Sequence, residues 1–222
     1  MKWFATALAM ALIALSISPL LADDKKDAPV PDKDGFYPLF DGKSLDGWKV
    51  GKNSETFKVE DGLIVVNGKG PSHLFYEGPV NNHDFKNFHL KAEVKTFPHA
   101  NSGIYFHTTF QEEGWPSKGF EAQVNATHTD RKKTGGLYNV KDVMDNAPNK
   151  DGEWFTYDII VEGKKVTLQI DGKTTSEWEQ PDDWKGAPAM PGRVLDHGTI
   201  ALQGHDPGSK VLFKSVSIKP LP

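Results

Sequence analysis

The sequence predicts an all-β protein made of two packed antiparallel sheets, and three observations predict it. Apolar residues recur at every second position: Phe88, Leu90, Ala92 and Val94 alternate with His89, Lys91, Glu93 and Lys95, as in a strand with one buried and one solvated face. The dipeptides Asp61-Gly62, Glu162-Gly163 and Asp171-Gly172 sit between alternating segments, which is the hairpin pattern. Beyond the N-terminal segment no stretch sustains a 3.6-residue apolar period. Roughly a dozen strands in two layers are expected. A closed barrel is the alternative, since it also leaves no free sheet edge.

In chain order, residues 1–22 read as a secretory signal peptide. Lys2 supplies a positive start, Ala5 to Ile17 is nearly unbroken apolar sequence, and Ala22 precedes Asp23-Asp24-Lys25-Lys26. The apolar run falls short of the about 20 residues a membrane span needs, so no span is expected after signal cleavage. Residues 23–35 form a charged, proline-containing linker, and 36–222 form a single domain. The chain has no cysteine, which excludes a disulfide framework and cysteine-linked lipid attachment. Export without cysteine fits a periplasmic or secreted bacterial protein. The formal net charge is −4 and basic residues are scattered, so a nucleic-acid partner is not expected.

Phe155, Tyr157, Ile159 and Val161 alternate with Trp154, Thr156, Asp158 and Ile160. Val166, Leu168 and Ile170 follow in the next strand. In the last one, strict alternation puts Leu212, Lys214, Val216 and Ile218 on one face and Val211, Phe213, Ser215 and Ser217 on the other. Gln180 to Pro191, rich in proline, aspartate and glycine, reads as a loop.

One strand is unusual. In KGFEAQVNATH, Phe120, Ala122 and Val124 make an apolar face while Glu121, Gln123 and Asn125 make a polar row. Side chains two apart on a strand lie about 7 Å apart on the same side. If the strand Asn101–Thr108 is the neighbour, Tyr105 and His107 join that row opposite Ile104 and Phe106. Tyr138 follows the next glycine pair, and His205 with Asp206 sits at a late strand end. Carboxylate, amide, imidazole and aromatic groups on one face suit a carbohydrate ligand, whose hydroxyls pair with amides and carboxylates and whose rings lie on aromatic faces. The plain alternative is a solvated outer face.

The segments FYPLFDGKSLDGW, NSGIYFH, GFEAQV, TGGLY, GEWFTYDIIVEGKKVTLQIDGK and GTIALQGHDPGSKVLFKSVSIK occur in that order. The sequence resembles the 3-keto-disaccharide hydrolase domain family over about Phe36 to Lys219. The resemblance implies a concanavalin-like jelly-roll sandwich and a glycan-directed hydrolase or binding module of exported proteins. By position, Glu121 and Gln123 match the family's strand motif, His205 and Asp206 its late motif, and Asn101 with Ser102 the turn before the central strand. His107 departs from the family pattern, in which an arginine is expected.

Ordinary glycosidases need two carboxyl groups, and Gln123 cannot serve as the second. A 3-keto sugar relaxes that need, because the ketone acidifies the neighbouring C2 hydrogen. One base, one acid and a donor to the enolate oxygen then suffice. The expected catalytic residues are Glu121 or His107 as the base and His205 as the acid. The expected substrate-binding residues are Gln123, Asn101, Tyr105, Asn125, Tyr138 and Asp206. No cofactor is required by this chemistry, although a divalent metal could stabilise the enolate; His128-Thr129-Asp130 and the Asp206-Pro207-Gly208 loop are the segments that suggest one, and no H-E-x-x-H spacing occurs. The alternative functions are a non-catalytic carbohydrate-binding module and a structural or adhesive surface domain.

Overall fold

A computed structural model describes residues 28–222. The expected signal peptide and the first part of the expected linker lie outside the described residues. No helix among those described is long and apolar enough to cross a membrane.

The strands, in chain order, are β1 (Tyr37–Pro38), β2 (Trp48–Val50), β3 (Phe57–Glu60), β4 (Leu63–Asn67), β5 (Ser72–Tyr76), β6 (Phe88–Thr96), β7 (Asn101–Thr108), β8 (Phe120–Asn125), β9 (Lys132–Leu137), β10 (Lys141–Met144), β11 (Trp154–Glu162), β12 (Lys165–Ile170), β13 (Lys173–Glu179), β14 (Thr199–Gly204) and β15 (Lys210–Pro220). One sheet has the order β13-β12-β11-β6-β15-β4-β3, with β1 paired to β15; the other has the order β10-β9-β8-β7-β14-β5-β2. Every strand pairing is antiparallel. This is the two-sheet jelly-roll sandwich that the alternation and the resemblance predict.

The turns follow from their residues. Asp61-Gly62 and Asp171-Gly172 both place two consecutive residues at positive φ (51° and 77°; 49° and 74°), the backbone that matches the twist of a tight hairpin. Between the sheets lies one continuous core. Leu90, Ala92 and Val94 of β6 meet Ile104 and Phe106 of β7, Phe120, Ala122 and Val124 of β8, and Tyr157, Ile159 and Val161 of β11. Each large side chain fully buried there contributes roughly 1.5–3 kcal/mol.

Two departures from strict alternation reshape the molecule. On β15 the register slips between Phe213 and Ser215, so Val211, Phe213, Val216 and Ile218 all enter the core while Lys214 is exposed. The predicted faces of that strand are thereby corrected: one extra residue reverses the sense of the alternation beyond it. The second slip lies where β14 meets the end of β7. Thr199 pairs with Thr108, but Ala201 pairs with Tyr105, leaving one extra residue on β7. His107 sits in this bulge at φ 54°.

Candidate functional site

The polar row of β8 lies on the face of the seven-stranded sheet that points away from the core. Register brings its partners together: Tyr105 stands opposite Glu121, and Gly103 opposite Gln123. On the next strand Ala201 stands opposite Tyr105, which puts Gln203 one step further along the same face. Gly103 is what makes room for the acid. A Cβ at this position would lie 2.6 Å from Glu121 Oε1, so any side chain there would displace the carboxylate.

A cavity of about 520 Å³ opens over this face, a size typical of small-ligand sites. Asn101, Tyr105, Glu121, Gln123, Tyr138 and His205, all predicted from the sequence, line it. Gln203, Arg193 and Trp115 line it as well. Glu121 is the only carboxylate among the lining residues.

Glu121 is fully engaged. Its Oε2 accepts from the Tyr105 hydroxyl at 2.9 Å and from Arg193 Nη2 at 3.3 Å. Its Oε1 accepts from Gln203 Nε2 at 2.9 Å. With the Gln123 amide nitrogen turned towards it, Oε1 also receives that donor at 3.2 Å. Burial pushes the Glu121 carboxyl upward, opposed by the Arg193 charge and by these hydrogen bonds; burial wins and the net shift is upward. Burial, followed by the Glu121 charge, drives the Tyr105 phenol well above its ordinary value. Tyr138 is raised to about 12, by burial and then by Asp130, so both phenols are hydrogen-bond donors at neutral pH.

Arg193 reaches the cavity from the loop 180–198. Its guanidinium lies 5.5 Å from the centre of the Tyr105 ring and 6.0 Å from that of Tyr138. Besides Glu121 it donates to the Gly119 carbonyl at 3.4 Å and to Met190 Sδ at 3.3 Å. These three bonds use three of its five N–H donors, and Arg193 lines the cavity. The Trp184 indole fixes the residue by donating to the Arg193 carbonyl at 2.6 Å.

His205 is oriented by a chain of hydrogen bonds. Its Nδ1 lies 2.8 Å from Asp206 Oδ1. The same oxygen accepts from the Ser209 hydroxyl at 2.6 Å, and Ser209 Oγ accepts from the Asn101 N–H at 2.9 Å. Burial pushes the Asp206 carboxyl up, but the hydrogen bonds from Ser209 and His205 outweigh it and hold the group below the usual range. An ionised carboxylate can only accept, so Nδ1 carries the proton and Nε2 is left with a lone pair. Trp115 lies beside the ring, with centroids 5.0 Å apart.

Three predicted site residues are placed elsewhere. His107 is turned off the polar face by the β7 bulge. Its ring packs on Phe88 and Phe106, Nε2 donates to the Lys86 carbonyl at 2.8 Å, and Nδ1 accepts from the Asp196 N–H at 3.2 Å. Burial pushes it down to about 4, so it is a neutral packing group at the end of β7. Asn125 points the expected way but closes a turn: its Nδ2 donates to the Asp130 and Lys132 carbonyls, and its Oδ1 accepts from the His128 N–H. Asp206 stands behind His205 and does not line the cavity.

One group among the described residues could hold a cation. Ligand atoms of His128, His205 and Asp206 lie within 4.8 Å of one another, a two-imidazole, one-carboxylate set suited to a transition metal. In the present arrangement His128 Nδ1 accepts from the Asp130 N–H at 3.1 Å. That bond requires the proton on Nε2, the nitrogen nearer Asp206, so the set as folded is a hydrogen-bonding group.

Sequence reasoning missed Arg193 and Gln203. Gln203 occupies the alternate position before His205 on its strand, a signal that was present. Arg193 lies in a loop, where periodicity says nothing. Its one hint is scarcity, since the chain has only two arginines.

The comparisons with known proteins bear on the family and the fold. The family described as "3-keto-alpha-glucoside-1,2-lyase-like domain" matches residues 35–219. A 3-keto-disaccharide hydrolase of Bacteroides thetaiotaomicron is 28% identical, over 94% of this chain and 87% of its own length. The crystal structure of a candidate glycosyl hydrolase from Parabacteroides distasonis superposes with a TM-score of 0.70 at 27% identity, covering 89% of this chain and 100% of that one. A second from the same organism gives 0.65 at 22% identity, covering 84% and 99%, and speaks for the fold alone. With its matched span covering nearly the whole described domain, the chain belongs to the 3-keto-alpha-glucoside-1,2-lyase-like domain family.

Proposed function

We propose that this protein cleaves 3-keto-glycosides by elimination at C1–C2, followed by addition of water. The observation that carries the reading is the oriented His205–Asp206 pair at a cavity whose lining holds a single, fully engaged carboxylate. Such a cavity lacks the two free carboxyl groups of ordinary glycoside hydrolysis, but it suits removal of a proton next to a ketone. The family description and the name of the Bacteroides relative support the same substrate class.

His205 Nε2 takes the proton from C2 of the 3-keto sugar, and the C–H electrons pass into an enolate with the C3 carbonyl. Asp206, half-buried and hydrogen-bonded to Nδ1, stabilises the imidazolium from behind the base. Arg193 donates its remaining N–H groups to the enolate oxygen, where negative charge develops. The enolate then reforms the C3 carbonyl and makes the C1=C2 double bond as the C1–O bond breaks; the departing oxygen takes the proton held on His205 and leaves as an alcohol, which returns the imidazole to its neutral form. Water adds hydroxyl to C1 and hydrogen to C2, which completes a net hydrolysis. Glu121 acts as a positioning residue that holds Tyr105, Gln203 and Arg193 in register.

The test is turnover of a 3-keto-glucoside in deuterated water. The expected result is aglycone release with deuterium at C2 of the sugar, above that of the ketone incubated alone. His205→Ala should lose release by about 10²–10⁴-fold, the usual contribution of a general base. Release without C2 deuterium would refute the elimination. Retention of the sugar with no release would make the protein a binding module.

A further inference from the structure

The cavity is polar below and apolar at its mouth. Asn101, Glu121, Gln123 and Gln203 come from the sheet beneath it, whereas Trp115-Pro116 and, together with Arg193, Met190-Pro191 line it from two loops. Trp115 is 46% exposed, a large apolar side chain left half in water. Of the residues those two loops bring to the mouth, Ser117 offers the one polar side chain besides Arg193.

This mouth is held in shape. Gln111 donates to the Glu113 and Trp115 carbonyls at 2.6 and 2.9 Å and accepts from the Ser117 N–H at 3.2 Å, tying the loop around the indole. Across the mouth, the Met190 N–H donates to the Ala187 carbonyl at 2.9 Å and the Arg193 N–H to the Met190 carbonyl at 3.1 Å. The two loops are joined where the Gly119 N–H meets the Gly192 carbonyl at 2.9 Å. A Cβ on Gly192 would lie 1.8 Å from the Ser117 carbonyl oxygen, so the loops touch backbone to backbone. A slot built this way orders little on binding and keeps its affinity.

Trp115 also lies against His205. A base acting at C2 stands one bond from C1, so the group leaving C1 must pass close to the indole. We infer that Trp115-Pro116 and Met190-Pro191 form a leaving-group subsite for a flat aromatic aglycone, which makes glycosides of aromatic alcohols the preferred substrate class over disaccharides. A second sugar can also lay a ring face on the indole, but its hydroxyl groups would find few side-chain partners at the mouth and would keep their water, gaining little from the contact. An aromatic ring needs only an apolar face, which the indole provides. The inference rests on the function proposed above.

The experiment is calorimetric titration of the wild-type protein with three unoxidised, inert ligands: phenyl glucoside, methyl glucoside and a glucose disaccharide. Phenyl glucoside is expected to bind about tenfold more tightly than either other ligand, a preference of ~1.4 kcal/mol. Trp115→Ala should abolish that preference and Trp115→Phe should keep part of it, with thermal unfolding of both variants unchanged. Disaccharide binding equal to or tighter than phenyl glucoside, or a preference that survives in Trp115→Ala, overturns the aglycone slot while leaving the sugar cavity standing. Failure of all three ligands to bind overturns the sugar cavity itself, and this inference with it.

Discussion

Replacing Arg193 by methionine removes the charge that faces Glu121 and keeps much of the apolar stem. The two side chains are 4% and 6% exposed, with Nη2 and Oε2 3.3 Å apart. Breaking a buried pair from one side costs about 3–5 kcal/mol when the remaining charge stays buried. Glu121 has an escape, however: it can take up a proton. In the unfolded chain it ionises near 4.5. Keeping it protonated in the fold costs about 1.36 kcal/mol for each pH step above that value. The ceiling on the part of the loss that comes from the stranded charge is therefore about 3.4 kcal/mol at pH 7 and about 0.7 kcal/mol at pH 5, lowered by the upward shift that burial already imposes on Glu121 in the wild type. The sign follows from proton counts: the folded variant holds a proton that the unfolded chain releases, so its stability rises as pH falls towards 4.5. Urea unfolding of wild type and Arg193→Met at both pH values measures this through the midpoint at constant slope. The double variant Arg193→Met/Glu121→Gln should recover most of the loss at pH 7, because no charge remains to strand. A deficit equal at pH 5 and pH 7, or no recovery in the double variant, would refute the reading of Glu121 as a buried charge held by Arg193.

Three further outcomes are expected. Gly103→Ala should displace the Glu121 carboxylate, because its Cβ would lie 2.6 Å from Oε1; 3-keto-glucoside turnover should fall at least about tenfold while stability falls by about 1–3 kcal/mol, as for overpacking. Asp206→Asn should lower kcat by about 10²–10⁴-fold with KM little changed, since Asp206 acts through His205 and does not line the cavity; a change confined to KM would remove it from that role. His107 ionises near 6.5 when unfolded and near 4 when folded, so its contribution is complete above pH 6.5 and is lost as pH falls from there towards 4, by roughly 3 kcal/mol. His107→Asn, whose side chain tolerates the positive φ of that bulge, should flatten the acid arm of stability over that window, and an unchanged arm would show that other groups cause it.

Glu121→Gln separates two roles that the acid could play. An amide keeps the size and some of the hydrogen bonds, so the fold should survive. If Glu121 positions Tyr105, Gln203 and Arg193, His205 can still take the C2 proton, and turnover should fall without vanishing.

Much of this protein is local in origin and can be read along the chain. A period of two identifies the strands, because neighbouring side chains on an extended backbone point to opposite faces. Aspartate-glycine pairs mark two of the hairpins, because they accept the left-handed backbone a tight turn needs. The row Glu121-Gln123 could be assigned to one face for the same reason, and its partner Tyr105 followed once the neighbouring strand was named. Tertiary structure alone decided the rest. An extra residue on β7 sent His107 into apolar packing, and another on β15 brought Val211 and Phe213 inward beside Val216; a bulge depends on how a strand meets its neighbours, and its own sequence carries no periodic mark of it. Arg193 and Trp115 come from loops, whose course is set by contacts such as that between Gly119 and Gly192, far apart in the chain. The strand pattern thus determined which face would carry the chemistry, and long-range contact determined which charge balances Glu121 and which ring borders His205.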